Sequence, residues 1–255
     1  MKKQILAFLL TAVTLISGQG SGGTDAKFEY RYLIDLPTAG ILEKGYAGIS
    51  TDFMPFGTVV TKLEVGVFEN FSFGISYGGS NIIGTGKVTM YELPGVNVRG
   101  RLFDETESVP AITIGFDSQG KGFYDKNDKR YELKSPGLFV AASKNFEFLG
   151  YISFHGLLNY SFERQDGDKD LNMGLGIEKT IGTQVSIIGE YDFAINDNGS
   201  KSIGDGSGYL NLGIRWTIGN GLTIGLNLRD MLSNKKLIGN KADRGLYIEF
   251  VRGIF

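Results

Sequence analysis

A two-residue hydrophobic period runs through this chain from about residue 46 to its end, and few folds accommodate it. In 71–78, Phe71, Phe73, Ile75 and Tyr77 alternate with Ser72, Gly74, Ser76 and Gly78. In 58–68, Val59, Leu63, Val65 and Val67 oppose Lys62, Glu64 and Gly66. Val96, Val98 and Leu102 oppose Asn97, Arg99 and Arg101, and Leu210, Leu212, Ile214 and Trp216 oppose Asn211, Gly213 and Arg215. The pattern recurs in 149–163, 170–180 and 222–229. Successive side chains of a strand point to opposite faces. Strict alternation over eight or more residues therefore specifies strands with one apolar and one small or polar face.

Connection lengths narrow the architecture. Tight links are expected near Glu69–Asn70, Asp104–Ser108, Asn145–Phe148, Gly182–Thr183 and Gly219–Gly221, and longer polar loops near 79–95, 118–136, 164–169, 195–207 and 230–244. Short turns at one end and long loops at the other characterise transmembrane antiparallel β-barrels of the bacterial outer membrane. The hairpin count predicts twelve strands, at 46–54, 58–68, 71–79, 96–104, 109–117, 137–144, 149–163, 170–180, 184–194, 208–218, 222–229 and 245–255. Two places resist. The link at 55–57 is too short for a first outer loop, and 27–35 alternates (Phe28, Tyr30, Tyr32, Ile34) without a partner. Residues 24–45 thus form an amino-terminal segment before the barrel at 46–255. Counting 27–35 and 86–92 as strands gives the alternative of fourteen. A soluble β-sandwich, which also alternates, is the competing architecture; strand length and loop asymmetry speak against it.

The chain ends support the barrel. Lys2 and Lys3 precede an apolar run at 5–16, and small polar residues follow to Gly23. This is the pattern of a secretory signal peptide over 1–23, too short for a helix that spans a bilayer. The last stretch, 245–255, reads as a strand, with Phe250 and Phe255 as a carboxyl-terminal signal for the barrel-assembly machinery. Phe255 falls out of phase with Leu246, Ile248, Phe250 and Ile254, so a bulge near Arg252 is expected.

Composition excludes several functions. The chain has no Cys, which removes disulfides, thiol metal sites and a lipid anchor on cysteine. Its 26 basic residues fall to 24 without Lys2 and Lys3, against 28 acidic ones, a net of −4. No basic stripe suggests nucleic acid, and no motif demands a cofactor. The expected partners are outer-membrane lipid, lipopolysaccharide and polysaccharide.

Candidate functional residues lie on the inward phase: Lys62, Glu64, Arg99, Arg101, Glu163, Glu178, Glu190, Asp192, Arg215 and Arg229. A charge on the lipid face costs roughly 2–4 kcal/mol for Arg or Lys at mid-bilayer, so these side chains point into the lumen or sit at its rims. They make either a polar conduit, with Arg99 and Arg101 attracting carboxylates, or a filled barrel in which opposite charges pair. Gly74, Gly78, Gly174, Gly176, Gly213 and Gly225 share that phase, leaving space or relieving strand curvature. Tyr32, Tyr151, Tyr160, Tyr191, Tyr209, Trp216 and Tyr247 are expected in interfacial girdles, Tyr209 and Tyr247 being out of phase for that role. His155, the only histidine, lies two residues from Ser153 on one strand face, a spacing that allows a hydrolytic pair. DGDKD at 166–170 begins like a calcium loop, but Leu171 and Ile177 replace the glycine and glutamate an EF-hand needs.

Three blocks over residues 28–146 resemble the YjbH-like outer-membrane proteins. The first holds Leu36-Pro37-Thr38-Ala39 and Glu43-Lys44-Gly45. The second holds Arg101, Leu102, Glu105, Pro110, Ala111 and Gly115, and the third is the Ala-Ser-Lys of LFVAASKNF (138–146). The chain is similar to one barrel unit of those longer proteins. The resemblance implies a role in exopolysaccharide production, as an accessory or conduit, and no catalysis. A small general porin or a structural barrel with binding loops is the alternative, and a lipid hydrolase the third.

Overall fold

The computed structural model describes residues 28–219, 221–236 and 242–254. The expected signal peptide, the cleavage region and Phe255 lie outside the described residues. Among those described, strands run in the order β1 (Tyr46–Met54), β2 (Thr58–Phe68), β3 (Phe71–Ser80), β4 (Thr89–Met90), β5 (Gly95–Phe103), β6 (Ala111–Asp117), β7 (Lys121–Asp125), β8 (Arg130–Leu133), β9 (Gly137–Glu147), β10 (Tyr151–Tyr160), β11 (Asn172–Ile181), β12 (Val185–Asp192), β13 (Tyr209–Thr217), β14 (Leu222–Arg229) and β15 (Asp243–Gly253). Setting aside the short strands β4, β7 and β8, twelve antiparallel strands form a closed barrel. Each pairs with its neighbour, and β15 closes on β1 with Thr51 opposite Ile248. Closure leaves no strand edge, which is what lets a sheet cross hydrocarbon.

The two faces follow the alternation. On β3, Ser72 and Ser76 are buried, while Phe73, Ile75 and Tyr77 are exposed around the outside. The same outward belt carries Leu63, Phe154, Leu175, Ile214, Trp216 and Leu226. An apolar exterior of this extent is stable only in lipid. The protein is a transmembrane barrel of the bacterial outer membrane.

Three local expectations change. The short link at 55–57 is a genuine outer turn: Phe56 and Gly57 have φ of 57° and 59°, as in the tight turns whose twist matches paired strands. Residues 81–83 cover it, Asn81 N–H donating to Phe56 O and Ile82 N–H to Gly57 O, both at 2.9 Å. No bulge forms at Arg252, which pairs in regular register with Ala47 and points outward near the end of the strand. Of the two further strands the alternative count needs, 28–35 and 86–92 add none to the barrel, Lys27 lying outside the described residues. The segment from Phe28 to Gly45 instead enters the lumen, and β4 is a two-residue pairing with Gly79 and Ser80.

By the loop asymmetry, the end carrying the links β2–β3, β5–β6, β9–β10, β11–β12 and β13–β14 is periplasmic. Substituting Ile75→Arg, at the middle of β3 on the lipid face, is expected to lower barrel stability in lipid vesicles by roughly 2–4 kcal/mol. Denaturant titration followed by heat-modifiable migration measures it; Ser76→Asn, on the inner face, serves as the comparison with a much smaller expected change.

Candidate functional site

Inside the barrel the amino-terminal segment folds as a hairpin. Leu33 N–H donates to Leu36 O and Thr38 N–H to Arg31 O, both at 3.0 Å, and Tyr32 pairs with Pro37. Only a few of its backbone groups are satisfied internally. The rest must find partners on the wall, because an unpaired buried amide or carbonyl is costly.

The wall supplies them with charged side chains. Glu190 accepts from the N–H groups of Ile34 (2.9 Å), Asp35 (2.9 Å) and Leu36 (3.1 Å). Arg99 donates to Thr38 O and Gly40 O at 3.2 and 3.1 Å, and its guanidinium lies 4.6 Å over the Tyr32 ring. Arg215 donates to Leu33 O at 2.6 Å, and Lys121, from the outer loop rather than the wall, donates to Ile34 O at 2.8 Å. Ala39 O accepts from Arg101 at 2.7 Å and from Thr113 Oγ1 at 2.6 Å, while Ala39 N–H donates to Ser143 Oγ at 3.0 Å.

Two side chains of the hairpin carry charge into the centre. Arg31 is paired with Glu64, at 3.2 Å, and with Glu249. Asp35, at the tip, receives Arg229 at 2.8 and 2.9 Å and Lys121 at 3.0 Å. Arg229 and Lys121 also hold Asp52, at 3.2 and 3.0 Å. Burial pushes the Asp35 carboxyl up, but Arg229 and Lys121 outweigh it and hold that carboxyl well below the usual carboxylate range. Burial opposes charge on Lys121 too, and Asp52 and Asp35 overcome it.

Apolar packing completes the seat. Leu33, Ile34 and Leu36 are 1%, 2% and 3% exposed and form one core with Phe139, Ala141, Leu157 and Ile188 of the wall. A Cβ on Gly176 would strike Leu33, one on Gly174 would strike Leu36, and one on Gly213 would come within 3.1 Å of Ile34. Three inward glycines are therefore sockets for the hairpin. Gly74 and Gly78 instead face carbonyls of the neighbouring strand at Leu63 and Val59, and Gly225 faces Arg215.

A second hairpin narrows the lumen from the outer side. The loop between β6 and β9 folds inward as the β7–β8 hairpin, clamped by Tyr91, Tyr131 and Tyr124 in edge-on contacts of 4.8 and 4.9 Å. Its Lys121 pairs with Asp35 and donates to Ile34 O, so the inner and outer hairpins meet at this side chain. Cavities of about 60 and 50 Å³ remain beside the hairpin tip. A cavity of about 680 Å³ opens at the periplasmic mouth, lined in part by Phe28, Glu29, Leu42, Glu43 and Glu105.

The candidate residues divide as follows. Glu64, Arg99, Arg101, Glu190, Arg215 and Arg229 converge on the hairpin. Lys62 reaches it through Asp117, at 2.5 Å, and stacks 4.2 Å over Tyr32. Asp192 lies at the outer end of β12, accepting from Asn172 Nδ2 and Ala194 N–H at 2.7 and 2.9 Å. Glu178 is buried beside a cavity of about 30 Å³ that His155 also lines. Glu163 is not on a strand, because β10 ends at Tyr160. It sits in the outer loop, where its carboxylate accepts from Tyr131 and Ser135 N–H at 2.8 Å each and anchors the inward hairpin; burial raises its pKa. Tyr32, Tyr209 and Tyr247 face inward, not toward an interface: Tyr209 donates to Asp197 and Tyr247 stacks on Arg215.

The hydrolytic pair does not form. Ser153 Oγ donates to Asn145, and His155 Nδ1 instead meets Ser143 Oγ at 2.8 Å, the serine that latches Ala39. Phe250 pairs with Leu222 and Ile49 in β15 and faces outward. Asp166, Asp168 and Asp197 lie together in the outer loops, but the protein supplies their counter-charge. Arg130 donates to Asp166 and Asp197 at 2.8 and 2.6 Å, Lys134 pairs with Asp166 at 2.6 Å, and two backbone amides donate to Asp168.

The sequence also held a signal for the hairpin itself. Phe139, Leu157 and Ile188 occupy the inward phase, where a water-filled lumen would want polar residues. Their natural complement is the unpartnered apolar run Leu33, Ile34 and Leu36.

A scan against protein-family models finds no match, and a search of curated proteins finds none. Among solved structures, the KdgM porin superposes with a TM-score of 0.50 at 10% identity, over 80% of this chain and 98% of that one. The KdgM porin in complex with disordered oligogalacturonate gives the same values. Omp33 of Acinetobacter baumannii follows at a TM-score of 0.47, 10% identity, with 82% and 98% covered. The likeness establishes a porin-like barrel fold.

Two outcomes are expected of the hairpin contacts. Arg31→Ala strands Glu64 and Glu249, so it should weaken hairpin seating by about 3–5 kcal/mol, read as faster proteolysis near Lys44. Because the Asp35 carboxyl is depressed, its contribution is fully present above about pH 4, its unfolded value, and is lost only as pH falls through the lower folded value. The Asp35 contact should therefore add no pH dependence to proteolysis between pH 8 and pH 5, so the ratio of Asp35→Asn to native cleavage rates is expected to stay constant over that range.

Proposed function

We propose that the protein is a porin-like conduit of the outer membrane that its own amino-terminal hairpin holds closed. The observation that carries this reading is the make-up of the seat: a charged, polar wall grips the hairpin, and both ends of that hairpin reach the periplasmic mouth. A barrel filled only for stability gains little from buried ion pairs, since apolar residues of similar volume serve as well or better. A wall of Arg, Lys, Asp and Glu suits water once the hairpin leaves. The apolar part of the seat, Leu33, Ile34 and Leu36, supplies about 1.5–3 kcal/mol per fully buried side chain, enough to keep the closed state dominant while leaving it reversible. In this reading the protein has no catalytic role.

An exopolysaccharide role is a second reading, and one observation favours it. The three sequence blocks that resemble the YjbH-like proteins meet at a single residue of the hairpin. Ala39, from the first block, is held by Arg101 of the second and Ser143 of the third, and Lys144 pairs with Glu105 at 3.3 Å. In this reading the conduit or accessory serves an envelope polysaccharide.

Planar-bilayer conductance tests the main reading. The full chain is expected to be silent, and a chain lacking residues 28–42 to give steady openings. Silence from the deleted barrel, when it migrates as folded and heat-modifiable, means a structural barrel and ends the conduit reading. Block of the openings by acidic oligosaccharides, weakened in Arg99→Ala and Arg101→Ala barrels, supports the polysaccharide reading.

A further inference from the structure

We propose that the lumen is a peptide-binding site, and that residues 30–42 are a replaceable ligand. A turn-forming peptide with the pattern Arg-x-x-x-Asp, presented by a partner from the periplasm, would take their place. The inference rests on the reading above that the hairpin can separate from the barrel.

The contacts are those of peptide recognition. Glu190 gathers three consecutive amides, and Arg99, Arg215, Lys121 and Arg101 each reach a backbone carbonyl. Main-chain contacts tolerate many sequences. Specificity comes from two charged anchors four residues apart: Arg31 between Glu64 and Glu249, and Asp35 between Arg229 and Lys121. A ligand lacking either anchor leaves buried charges without partners, a strong penalty.

Two further observations favour exchange. The hairpin begins and ends at the 680 Å³ periplasmic cavity, so a turn-forming peptide enters there without threading through the barrel. The wall also holds donors that this hairpin leaves without a protein partner: Arg99 Nε and Nη2, Arg229 Nη1 and Asn227 Nδ2. All three residues are at most 1% exposed. The seat therefore offers more donors than its own segment accepts, and a ligand with additional acceptors would be held at least as well.

The test uses the full chain, folded first and then cut. A specific protease site is placed in the exposed turn at Glu43–Lys44, and after cleavage a fluorescent synthetic peptide spanning 28–42 is added. Saturable uptake by anisotropy is expected. Peptides carrying Arg31→Glu or Asp35→Lys should bind about a hundredfold more weakly or worse, since each sets like charges against one another in a buried site. A cut segment that never exchanges overturns the proposal, as does equal binding of the reversed-charge peptides. Conductance of the same cut protein separates this proposal from the conduit. Current that opens but is not closed again by added peptide sinks the peptide site alone. Peptide exchange with no current in either state supports the peptide site and sinks the conduit alone.

Discussion

A segment threaded into a closed barrel has no strand to pair with, and the rest of this structure follows from that constraint. Every amide and carbonyl of the hairpin between Arg31 and Gly40 must be met by a neighbouring turn or by a wall side chain, because burial without a partner costs more than a made hydrogen bond gains. The wall answers with long charged side chains that reach across the lumen. This explains charges on strands that are otherwise small and polar. Arg99 and Arg215 are almost fully buried, and they are tolerated because carbonyl oxygens and aromatic rings face them.

Charge balance follows from the same arrangement. Wall carboxylates and wall cations pair with each other only in part. Glu64 and Glu249 share the hairpin's Arg31, and Arg229 and Lys121 divide themselves between Asp35 and the wall's Asp52. The hairpin thus serves as counter-ion as well as filler. At its tip it meets the outer β7–β8 hairpin through Lys121.

Much of the wall was legible in the chain. The inward positions of Lys62, Glu64, Arg99, Arg215 and Arg229 follow from a period of two, since one residue of slip would place each of them in lipid. Glu163 was misplaced because alternation continues past Tyr160, where the ladder has already ended. Ser153 and His155 share a face as expected, yet cross-strand neighbours claim them: Asn145 takes the serine and Ser143 the histidine. Pairings between strands depend on register, and spacing along one strand does not contain it.

The alternating pattern, read with the connection lengths, determined a barrel of about twelve strands, its lipid-facing belt and the face taken by the charges that lie on strands, because the pleat ties side-chain direction to parity. Only the tertiary structure decided that the lumen is occupied. Residues 28–45 carry a short alternation of their own, which reads as another strand. What places them inside is the shape of the finished barrel: glycine sockets on β11 and β13, apolar patches at Phe139, Leu157 and Ile188, and carboxylates and guanidinium groups converging from strands far apart in sequence. Those groups meet only when the sheet closes, so no local stretch of the chain could announce the seat they form.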